Sequence, residues 1–314
     1  MSAAPVHARP VPGGRIAYVD GRYVPHAAAS VHVEDRGLQF ADSIYEVCAV
    51  LDGRLMDEEG HLDRLERSLA ALAINMPMGR QPLRAVMRET IRRNRLKNGM
   101  LYLQVTRGSH KRDHPMPAAH RSTLIMTARP INIAAVEKRR LDGIAVVTAP
   151  DIRWGRCDIK TTGLLANVMA KTHARKAGAF EAWLIDGHGF VTEGASTNAW
   201  IVTEEGVLVT RHLSPNILAG VTRLGVLNAL ALEGFNAIEE RAFTLEEAYA
   251  AREAFVTSAS GGVLPVISID GRRVGEGAPG AATRRIHRLY AEFARAAAES
   301  SAVCASQLQQ RPIL

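Results

Sequence analysis

Apolar runs bounded by turn residues and apolar residues at helical spacing both occur in the first part of the chain. The stretch 58–74 places leucines at 62, 65, 69 and 72, which predicts an amphipathic helix, and 81–96 predicts a second one. The Asp-Gly pairs at 20–21 and 52–53 predict hairpin turns. Strands are expected around these turns and further along, in the segments 16–24, 43–57, 100–108 and 122–130.

The second part of the chain alternates between the same two kinds of element. Strands are expected at 143–150, 181–186, 190–203 and 253–258. Helices are expected at 164–178, 222–234, 244–251 and 281–298. Mixed strands and helices in two unequal lobes indicate an α/β or α+β fold.

A domain boundary is expected near residue 133. The segment 128–138 contains a proline and directly precedes a new strand. This predicts a division into a flexible arm at 1–15, a smaller N-terminal α/β domain at 16–130, a linker at 131–136, a larger C-terminal domain carrying Lys160 at 137–298, and a flexible tail at 299–314.

The composition is typical of a folded globular protein. Hydrophobic residues make up 47% of the 314 residues. The chain has no run of eighteen apolar residues, so no membrane helix is expected. The first residues lack the apolar core of a secretory signal. The net charge of +7 raises the possibility of nucleic-acid binding. However, the basic runs are short and scattered, and aromatic residues make up only 5% of the chain. We therefore expect solvated helix faces and no nucleic-acid partner.

The cysteines argue against a disulfide framework and against a structural metal site. There are three, Cys48, Cys157 and Cys304, and no two of them form a Cys-x-x-Cys pair. An odd, dispersed set of thiols fits a reducing compartment, so we expect a cytoplasmic protein without a bound metal.

Several residues could carry chemistry, although each has an ordinary structural explanation when taken alone. Lys160 precedes an apolar helical run, where a surface lysine would also fit, and Glu193 lies at a strand end. Gly220, Val221 and Thr222 begin a helix, whose free N–H groups and dipole favour a phosphate. Together they meet the needs of pyridoxal phosphate, because a lysine amine condenses with its aldehyde and a carboxylate keeps its ring nitrogen protonated.

Six stretches occur in the order typical of one enzyme family: EDRGLQFADSIYEV, GHLDRLERS, QVTRGSHKRDH, DIRWGRCDIK, VTEGASTNAW and ILAGVTR. Between about Ile16 and Tyr290 the chain resembles the fold-type IV, class IV aminotransferases, and among them the D-amino acid aminotransferases. The resemblance implies a two-lobed fold, bound pyridoxal 5′-phosphate and a homodimer with active sites near the lobe and subunit interfaces.

The resemblance also implies a role for each matching residue. Lys160 would be the Schiff-base lysine and the base that moves a proton between substrate Cα and the cofactor. Glu193 would pair with the pyridine nitrogen, and Arg64 would contact the phosphate. The complete cofactor-binding set implied is Arg64, Lys160, Glu193, Ser196, Asn198, Leu218, Gly220, Val221, Thr222, Ser258 and Ala259.

A carboxylate trap is expected on the substrate side. In D-specific members of the family a tyrosine, an arginine and a histidine hold the substrate carboxylate, and Tyr45, Arg112 and His114 match them. An arginine fork suits a carboxylate because it donates two parallel hydrogen bonds. Arg112 and His114 could serve the active site of their own subunit or that of the neighbour.

The expected reaction is ping-pong exchange of the amino group between a D-amino acid, such as D-alanine, and a 2-oxo acid, such as 2-oxoglutarate. The stretch Ser258-Ala259-Ser260-Gly261-Gly262 departs from the consecutive threonines of many D-amino acid enzymes, and its glycine pair is similar to (R)-selective amine transaminases. Branched-chain aminotransferases usually have a tyrosine soon after the lysine, where this chain has Leu164, and they lack the trap. Aminodeoxychorismate lyase shares the lysine and glutamate and is a third alternative.

Overall fold

The structure of the protein is a computed structural model that describes residues 14–309, with side chains described up to residue 299. The chain divides into two compact units. The first contains the described residues up to Ile131 together with Lys160–Gly163, and the second contains Asn132–Ile159 and the residues from Leu164 onward. The arm predicted at 1–15 falls almost entirely outside the described residues.

The structure differs from the predicted domain division in two places. The segment expected as a linker is mostly helical, because a helix (α4) spans Ile133–Asp142 and the side chain of Asn132 accepts a hydrogen bond from Ala135 N at its start. Lys160, expected in the larger domain, belongs with Thr161, Thr162 and Gly163 to the first unit. The chain therefore returns to the first unit for four residues.

The first unit is built on a six-stranded antiparallel sheet with the order β2-β1-β6-β5-β3-β4. Its helices are α1 (Arg36–Phe40), α2 (Glu58–Ala71) and α3 (Arg80–Arg93), with a short 3-10 turn at His26–Ala28. Its strands are β1 (Ile16–Val19), β2 (Arg22–Pro25), β3 (Ser43–Leu51), β4 (Arg54–Leu55), β5 (Gly99–Thr106) and β6 (Thr123–Pro130).

Local sequence signals account for much of this unit. Asp20-Gly21 and Asp52-Gly53 have positive φ angles of 39°, 92°, 49° and 76°, the backbone that tight hairpin turns require, and both predicted hairpins form. Helix α2 buries Leu62, Leu65 and Leu69 and leaves Leu72 half-buried, so the predicted apolar face is the packed face. The short helix α1 was not predicted.

The second unit contains a nine-stranded mixed sheet with the order β12-β11-β10-β13-β14-β7-β8-β9 and β15 paired to β14. Its strands are β7 (Ile144–Pro150), β8 (Glu181–Ile185), β9 (Val191–Gly194), β10 (Asn198–Val202), β11 (Leu208–Thr210), β12 (Ile238–Glu240), β13 (Glu253–Ser258), β14 (Gly262–Ile269) and β15 (Arg272–Arg273). Its further helices are α5 (Leu165–Lys176), α6 (Val221–Leu232), α7 (Leu245–Tyr249) and α8 (Ala281–Gln309).

The second unit buries a large apolar core around its central strands. Trp183, Ile201, Phe243 and Val256 are all fully buried there. Mixed parallel and antiparallel pairing confirms the predicted α/β fold class. Helix α8 continues to Gln309, past residue 298 where the prediction ended it, so the residues from 299 to 309 are helical and residues 310–314 lie outside the described chain.

Some features do not occur in the part of the chain that the structure describes. Within residues 14–309, no helix has both the length and the apolar composition needed to cross a membrane. Among the side chains that the structure describes, no group of three or more His, Cys, Asp or Glu residues could hold a metal ion. Cys48 is buried and Cys157 is half-buried, and both are free thiols.

Candidate active site

Lys160 lies against strand β3 in the first unit. Its carbonyl oxygen accepts a hydrogen bond of 2.9 Å from Tyr45 N, its own N–H donates to Ser68 Oγ at 3.4 Å, and Thr161 forms a β-bridge to Ile44. The Lys160 ammonium nitrogen is 4.3 Å from the centroid of the Tyr45 ring. Lys160 is therefore a half-buried, positioned side chain rather than an ordinary surface lysine.

Tyr45 also contacts a second tyrosine. Its ring stacks on Tyr102 with centroids 5.6 Å apart. Burial, with a smaller contribution from Tyr45, raises the pKa of Tyr102 to about 12, and the Tyr102 hydroxyl donates to Gln104. The Tyr45 ring, stacked on Tyr102, is therefore the aromatic surface that the Lys160 side chain contacts.

Arg64 is buried on helix α2, where it forms an ion pair. Its Nε and Nη2 donate to the two carboxylate oxygens of Glu46 at 2.7 Å, and Glu46 also receives a 2.7 Å contact from His61 Nδ1. Burial alone would raise the pKa of Glu46, but Arg64 and His61 outweigh it and hold that pKa far below its ordinary range. The pair fixes the guanidinium, and the phosphate role of Arg64 stays a prediction.

Arg112 and His114 lie on an exposed loop between β5 and β6, and both lie beside Phe40. The Arg112 guanidinium is 5.2 Å from the Phe40 ring centroid, and the His114 ring is 5.6 Å from it. The structure therefore brings two of the three predicted trap residues together. Tyr45, the third, contacts Lys160 and Tyr102 instead.

Arg36 holds the backbone of this loop, and the sequence analysis missed it. Its Nη1 donates to the carbonyl of Asp113 at 2.7 Å, its Nη2 to the carbonyl of His114 at 3.2 Å, and its Nε to Asp42 at 2.7 Å. Arg36 is only 3% exposed although it carries a full charge. No sequence spacing indicates this contact, because 77 positions separate Arg36 from Asp113.

Glu193 is the next-to-last residue of strand β9 in the second unit and is surrounded by hydrogen-bond donors. Arg153 Nη1 lies 2.5 Å from Oε1, Asn198 Nδ2 donates to Oε2 at 2.9 Å, and the backbone N–H of Leu218 approaches both oxygens at 3.2 Å. Charge-assisted bonds of this kind favour the ionised carboxylate. Glu193 is 5% exposed, so its position is fixed by these partners.

Arg153 is the second functional candidate that the sequence analysis missed. It links Glu193 to Asp151, which it also contacts through Nε and Nη2. Burial would raise the pKa of Asp151, but the bonds from Arg153 lower it on balance. Burial would likewise lower the pKa of Arg153, but Asp151 and Glu193 outweigh it and raise that pKa. Arg153 stands in the quoted stretch DIRWGRCDIK, so the motif contained it without indicating its partner.

The start of helix α6 has features suited to an anionic group. Gly220 is the N-cap and provides no side-chain cap, and a Cβ there would lie 1.9 Å from Asn198 Oδ1. The Thr222 hydroxyl is buried without a hydrogen-bond partner in the described part of the chain. A helix start with unsatisfied donors is a favourable site for phosphate.

The remaining residues of the predicted cofactor set differ in exposure and in their hydrogen-bond partners. Ser196 is exposed, and its hydroxyl donates to the buried Glu181 at 2.7 Å. The Leu218 carbonyl accepts a hydrogen bond from Asn198, which places both beside Glu193. The Ser258 hydroxyl accepts from Gly261 N at 3.2 Å and lies 3.4 Å from the Ser260 hydroxyl, while Ala259 is half-buried between them.

The side chains of the second unit fit pyridoxal phosphate. A buried carboxylate suits a protonated ring nitrogen, and an unpartnered Thr222 hydroxyl at a helix start suits a phosphate oxygen. Lys160, which belongs to the first unit, has an amine of the kind that such a cofactor requires, and its role as the Schiff-base lysine stays a prediction.

The comparison with protein families agrees with this arrangement. Residues 43–269 match the family described as amino-transferase class IV. The match covers well over half of the 314 residues and includes Lys160, Glu193 and Thr222. The chain belongs to the class IV aminotransferase family.

Relatives with assigned names are similar over most of the chain. A D-alanine aminotransferase of Bacillus licheniformis is 41% identical over 267 residues, which cover 85% of this chain and 93% of the relative. A D-alanine aminotransferase of Listeria monocytogenes is 36% identical over 275 residues, which cover 87% and 94%.

Solved structures of similar fold are named as branched-chain aminotransferases. The enzyme of Escherichia coli superposes with a TM-score of 0.80 at 25% identity over 88% of this chain and 93% of that one. The enzyme of Thermoproteus uzoniensis with norvaline gives 0.76 at 29% identity over 88% and 93%. These likenesses confirm the fold-type IV aminotransferase fold.

Proposed function

We propose that this protein catalyses pyridoxal phosphate-dependent transfer of an amino group from a D-amino acid, such as D-alanine, to a 2-oxo acid, such as 2-oxoglutarate. The observation that carries the proposal is the 41% identity to a D-alanine aminotransferase over 85% of the chain. The reaction follows a ping-pong order, in which the first product leaves before the second substrate binds.

When bound, pyridoxal 5′-phosphate supplies an aldehyde that takes up the amino group and a protonated ring that accepts electrons from the bond at Cα. Glu193 holds the ring nitrogen in its protonated form, and Arg153 and Asn198 keep that carboxylate ionised and oriented. Thr222 and the N–H groups at the start of α6 would hold the phosphate, and Arg64 is the phosphate contact that the family resemblance predicts in the first unit.

Lys160 is the general base and acid of the reaction. In the first half-reaction its Nζ would take a proton from the substrate Cα and pass it to the cofactor carbon that receives the amino group. In the second half-reaction it would carry a proton in the opposite direction, from that carbon to the Cα of the new amino acid. The aromatic face of Tyr45, 4.3 Å away, orients the Lys160 side chain.

Arg112 and His114 bind the substrate carboxylate with Tyr45. Two cationic or donor side chains on a single exposed loop suit an α-carboxylate, because a guanidinium can donate two parallel hydrogen bonds to it. Arg36 supports this role by fixing the carbonyl groups of residues 113 and 114.

Branched-chain L-amino acid transamination is the second candidate. The solved structures similar to this chain, at 25% and 29% identity, favour it. It is the weaker proposal because the D-alanine aminotransferases share more identity over a comparable share of the chain.

We also propose a cytoplasmic homodimer. Val33, Leu38 and Met116 are 73%, 66% and 58% exposed. The segments that carry them are joined by two hydrogen bonds, because Arg36 donates to the carbonyl of Asp113 and the backbone N–H of His110 donates to the carbonyl of Glu34. Exposed apolar side chains grouped in this way are typical of a protein–protein contact. The free thiols of Cys48 and Cys157 suit a reducing compartment.

The proposal is tested by comparing three amino donors with 2-oxoglutarate as acceptor and the cofactor present in excess. D-alanine is expected to give the highest kcat/KM, above L-leucine and (R)-1-phenylethylamine. A preference for L-leucine would assign the chain to branched-chain transamination. A preference for the amine would mean that Arg112 and His114 do not select a carboxylate.

The catalytic assignment needs its own variant and control. Lys160→Ala is expected to abolish turnover and the visible absorbance of the bound cofactor, whereas Lys176→Ala, an exposed lysine at the end of α5, is expected to behave as wild type. Wild-type transamination by Lys160→Ala would refute the assignment.

A further inference from the structure

A cavity of about 380 Å³ lies in the second unit, and none of its lining residues belongs to the predicted site, although Val263 directly follows the stretch Ser258–Gly262. It is bordered by α4, β14, the segment that leads into α8 and the first turns of α8. The cavity is lined by Arg140, Leu141, Val263, Pro265, Pro279, Ala281, Thr283, Arg284, His287 and Arg288. Its size lies within the range of small-molecule binding sites.

The floor of the cavity is apolar. Val263 and Pro265 are buried in strand β14, and Pro279 is half-buried beside them. Leu141 at the rim is 75% exposed, a large apolar surface left in water. A ligand with a hydrocarbon body would remove this leucine from solvent, which is favourable by roughly 25 cal/mol per Å² of apolar area.

The rim carries positive charge with few negative partners. Arg140, Arg284 and Arg288 all line the cavity. Arg140 contacts Glu137 and donates through Nη2 to the Gly261 carbonyl, but its Nε is buried without a hydrogen-bond partner among the described residues. Arg284 contacts the Pro279 carbonyl, which adds no negative charge to the site.

A buried carboxylate that contacts Thr283 of the cavity lining already has hydrogen-bond donors. Glu253 accepts hydrogen bonds from Ala282 N, Thr283 N and the Thr283 hydroxyl at 3.0, 2.8 and 2.7 Å. Glu253 therefore accepts hydrogen bonds from the free N–H groups at the start of α8 and forms no ion pair with the arginines of the cavity among the contacts described. The charge around the cavity is therefore net positive.

His287 contributes a second unpartnered polar atom. Its Nδ1 is buried and makes no hydrogen bond within the described residues. Burial first, and then the positive charge of Arg140, lower the pKa of His287 to about 4. At neutral pH His287 is therefore an uncharged ring between arginines, with a polar nitrogen that a ligand could satisfy.

We propose that this cavity binds a small organic monocarboxylate with an aliphatic or aromatic body. The hydrocarbon part lies on Leu141, Val263 and Pro265, and the carboxylate faces Arg140, Arg284 and Arg288. An inorganic anion would leave the apolar floor uncovered, and a neutral apolar molecule would leave the arginines without a counter-charge.

The test uses the holoenzyme in which the ring carbons of the histidines carry an isotope label for NMR. The probe is hexanoate. The His287 signal, assigned from its absence in His287→Gln, is followed by NMR as hexanoate is added at constant ionic strength. A saturable shift with a dissociation constant below ~10 mM is expected. The pKa of His287 should rise in the complex, because a nearby carboxylate favours the imidazolium.

Two other probes and two variants decide the outcome. Hexanol and inorganic phosphate are each expected to bind at least about tenfold more weakly than hexanoate. Arg284→Gln combined with Arg288→Gln is expected to weaken hexanoate by at least about tenfold, whereas Arg285→Gln, an exposed arginine of the same helix outside the cavity lining, should not.

Because the variants lie outside the residues assigned to catalysis, transamination of D-alanine should be unchanged in all of them. The absence of a saturable His287 shift would overturn the proposal. Equal binding of phosphate or of hexanol would also overturn it, as would equal weakening by Arg285→Gln.

Discussion

The guanidinium of Arg64 and the carboxylate of Glu46 face each other through two hydrogen bonds of 2.7 Å, and the two side chains are only 5% and 3% exposed. A buried charge pair of this kind contributes little net stability compared with apolar residues. Removal of one partner is costly, however, because the remaining charge has no compensation.

Glu46→Gln is therefore expected to lower the free energy of unfolding at pH 7 by about 3–5 kcal/mol. Urea denaturation followed by circular dichroism would measure the change. Glu89→Gln is the control, since Glu89 pairs with Arg92 and Arg93 in a more exposed position where solvent screens the charges. Equal losses in the two variants would show that burial of the Arg64 charge is not the cause.

The same pair predicts how stability depends on pH. The pKa of Glu46 is lower in the folded protein than its ordinary value of 4.5, so the folded state binds fewer protons than the unfolded state. Its contribution is complete above pH 4.5 and is lost as the pH falls from there toward the folded pKa. The stability difference between wild type and Glu46→Gln should therefore shrink between pH 5 and pH 3 in urea titrations. A difference that stays constant over that interval would contradict the assigned direction.

Arg36→Lys is expected to impair carboxylate substrates selectively. Lysine keeps the charge beside Asp42 but cannot reach the carbonyl groups of residues 113 and 114 together, so the loop that carries Arg112 and His114 loses its support. The KM for D-alanine should rise about tenfold, kcat should change by less than about threefold, and (R)-1-phenylethylamine should be unaffected.

Arg107→Lys is the matched control for this prediction. Arg107 also pairs with Asp42, but it donates to the carbonyls of Leu72 and Ala73 and reaches the loop only through the sulfur of Met116. It should lose stability without the change in KM. The same rise in KM for both variants would attribute the effect to general loosening.

Thr222→Val tests the hydroxyl at the start of α6. The hydroxyl has no partner in the described protein, so its removal should leave the stability of the cofactor-free protein unchanged. The cofactor should dissociate ~10–100-fold more readily, because a hydrogen bond to a charged group contributes ~1.5–3 kcal/mol. Equilibrium dialysis of pyridoxal phosphate measures this, with Thr172→Val on α5 as a control hydroxyl bonded within its own helix. An unchanged affinity would remove Thr222 from the phosphate site.

Gly220→Ala is expected to weaken cofactor binding through Asn198. The added Cβ would lie 1.9 Å from Asn198 Oδ1, so the amide that orients Glu193 must move. The backbone of Gly220 has φ of −64°, which alanine adopts freely, so the effect is steric. Gly187→Ala, with open space at its Cβ, should retain wild-type affinity in a spectrophotometric titration with the cofactor. Comparable losses in both variants would argue against the steric explanation.

The sequence by itself determined those features that depend only on residues close to one another along the chain. The hairpin turns at residues 20–21 and 52–53, the leucine face of α2 and the start of α6 follow from local conformational preference and apolar spacing. Local patterns failed where a signal was ambiguous. The proline before residue 133 indicated a linker, although Asn132 is a helix cap that marks the start of α4.

The motifs also identified Lys160, Glu193 and Thr222 as candidates, but only the tertiary structure supplied their surroundings. Arg153 meets Glu193 across 40 positions, and Arg36 reaches the carbonyl of Asp113 across 77. The packing of Lys160 against Tyr45 likewise depends on its return to the first unit. Such contacts have no fixed spacing along a chain, because the path of the backbone between them decides which charges are buried together and must be paired.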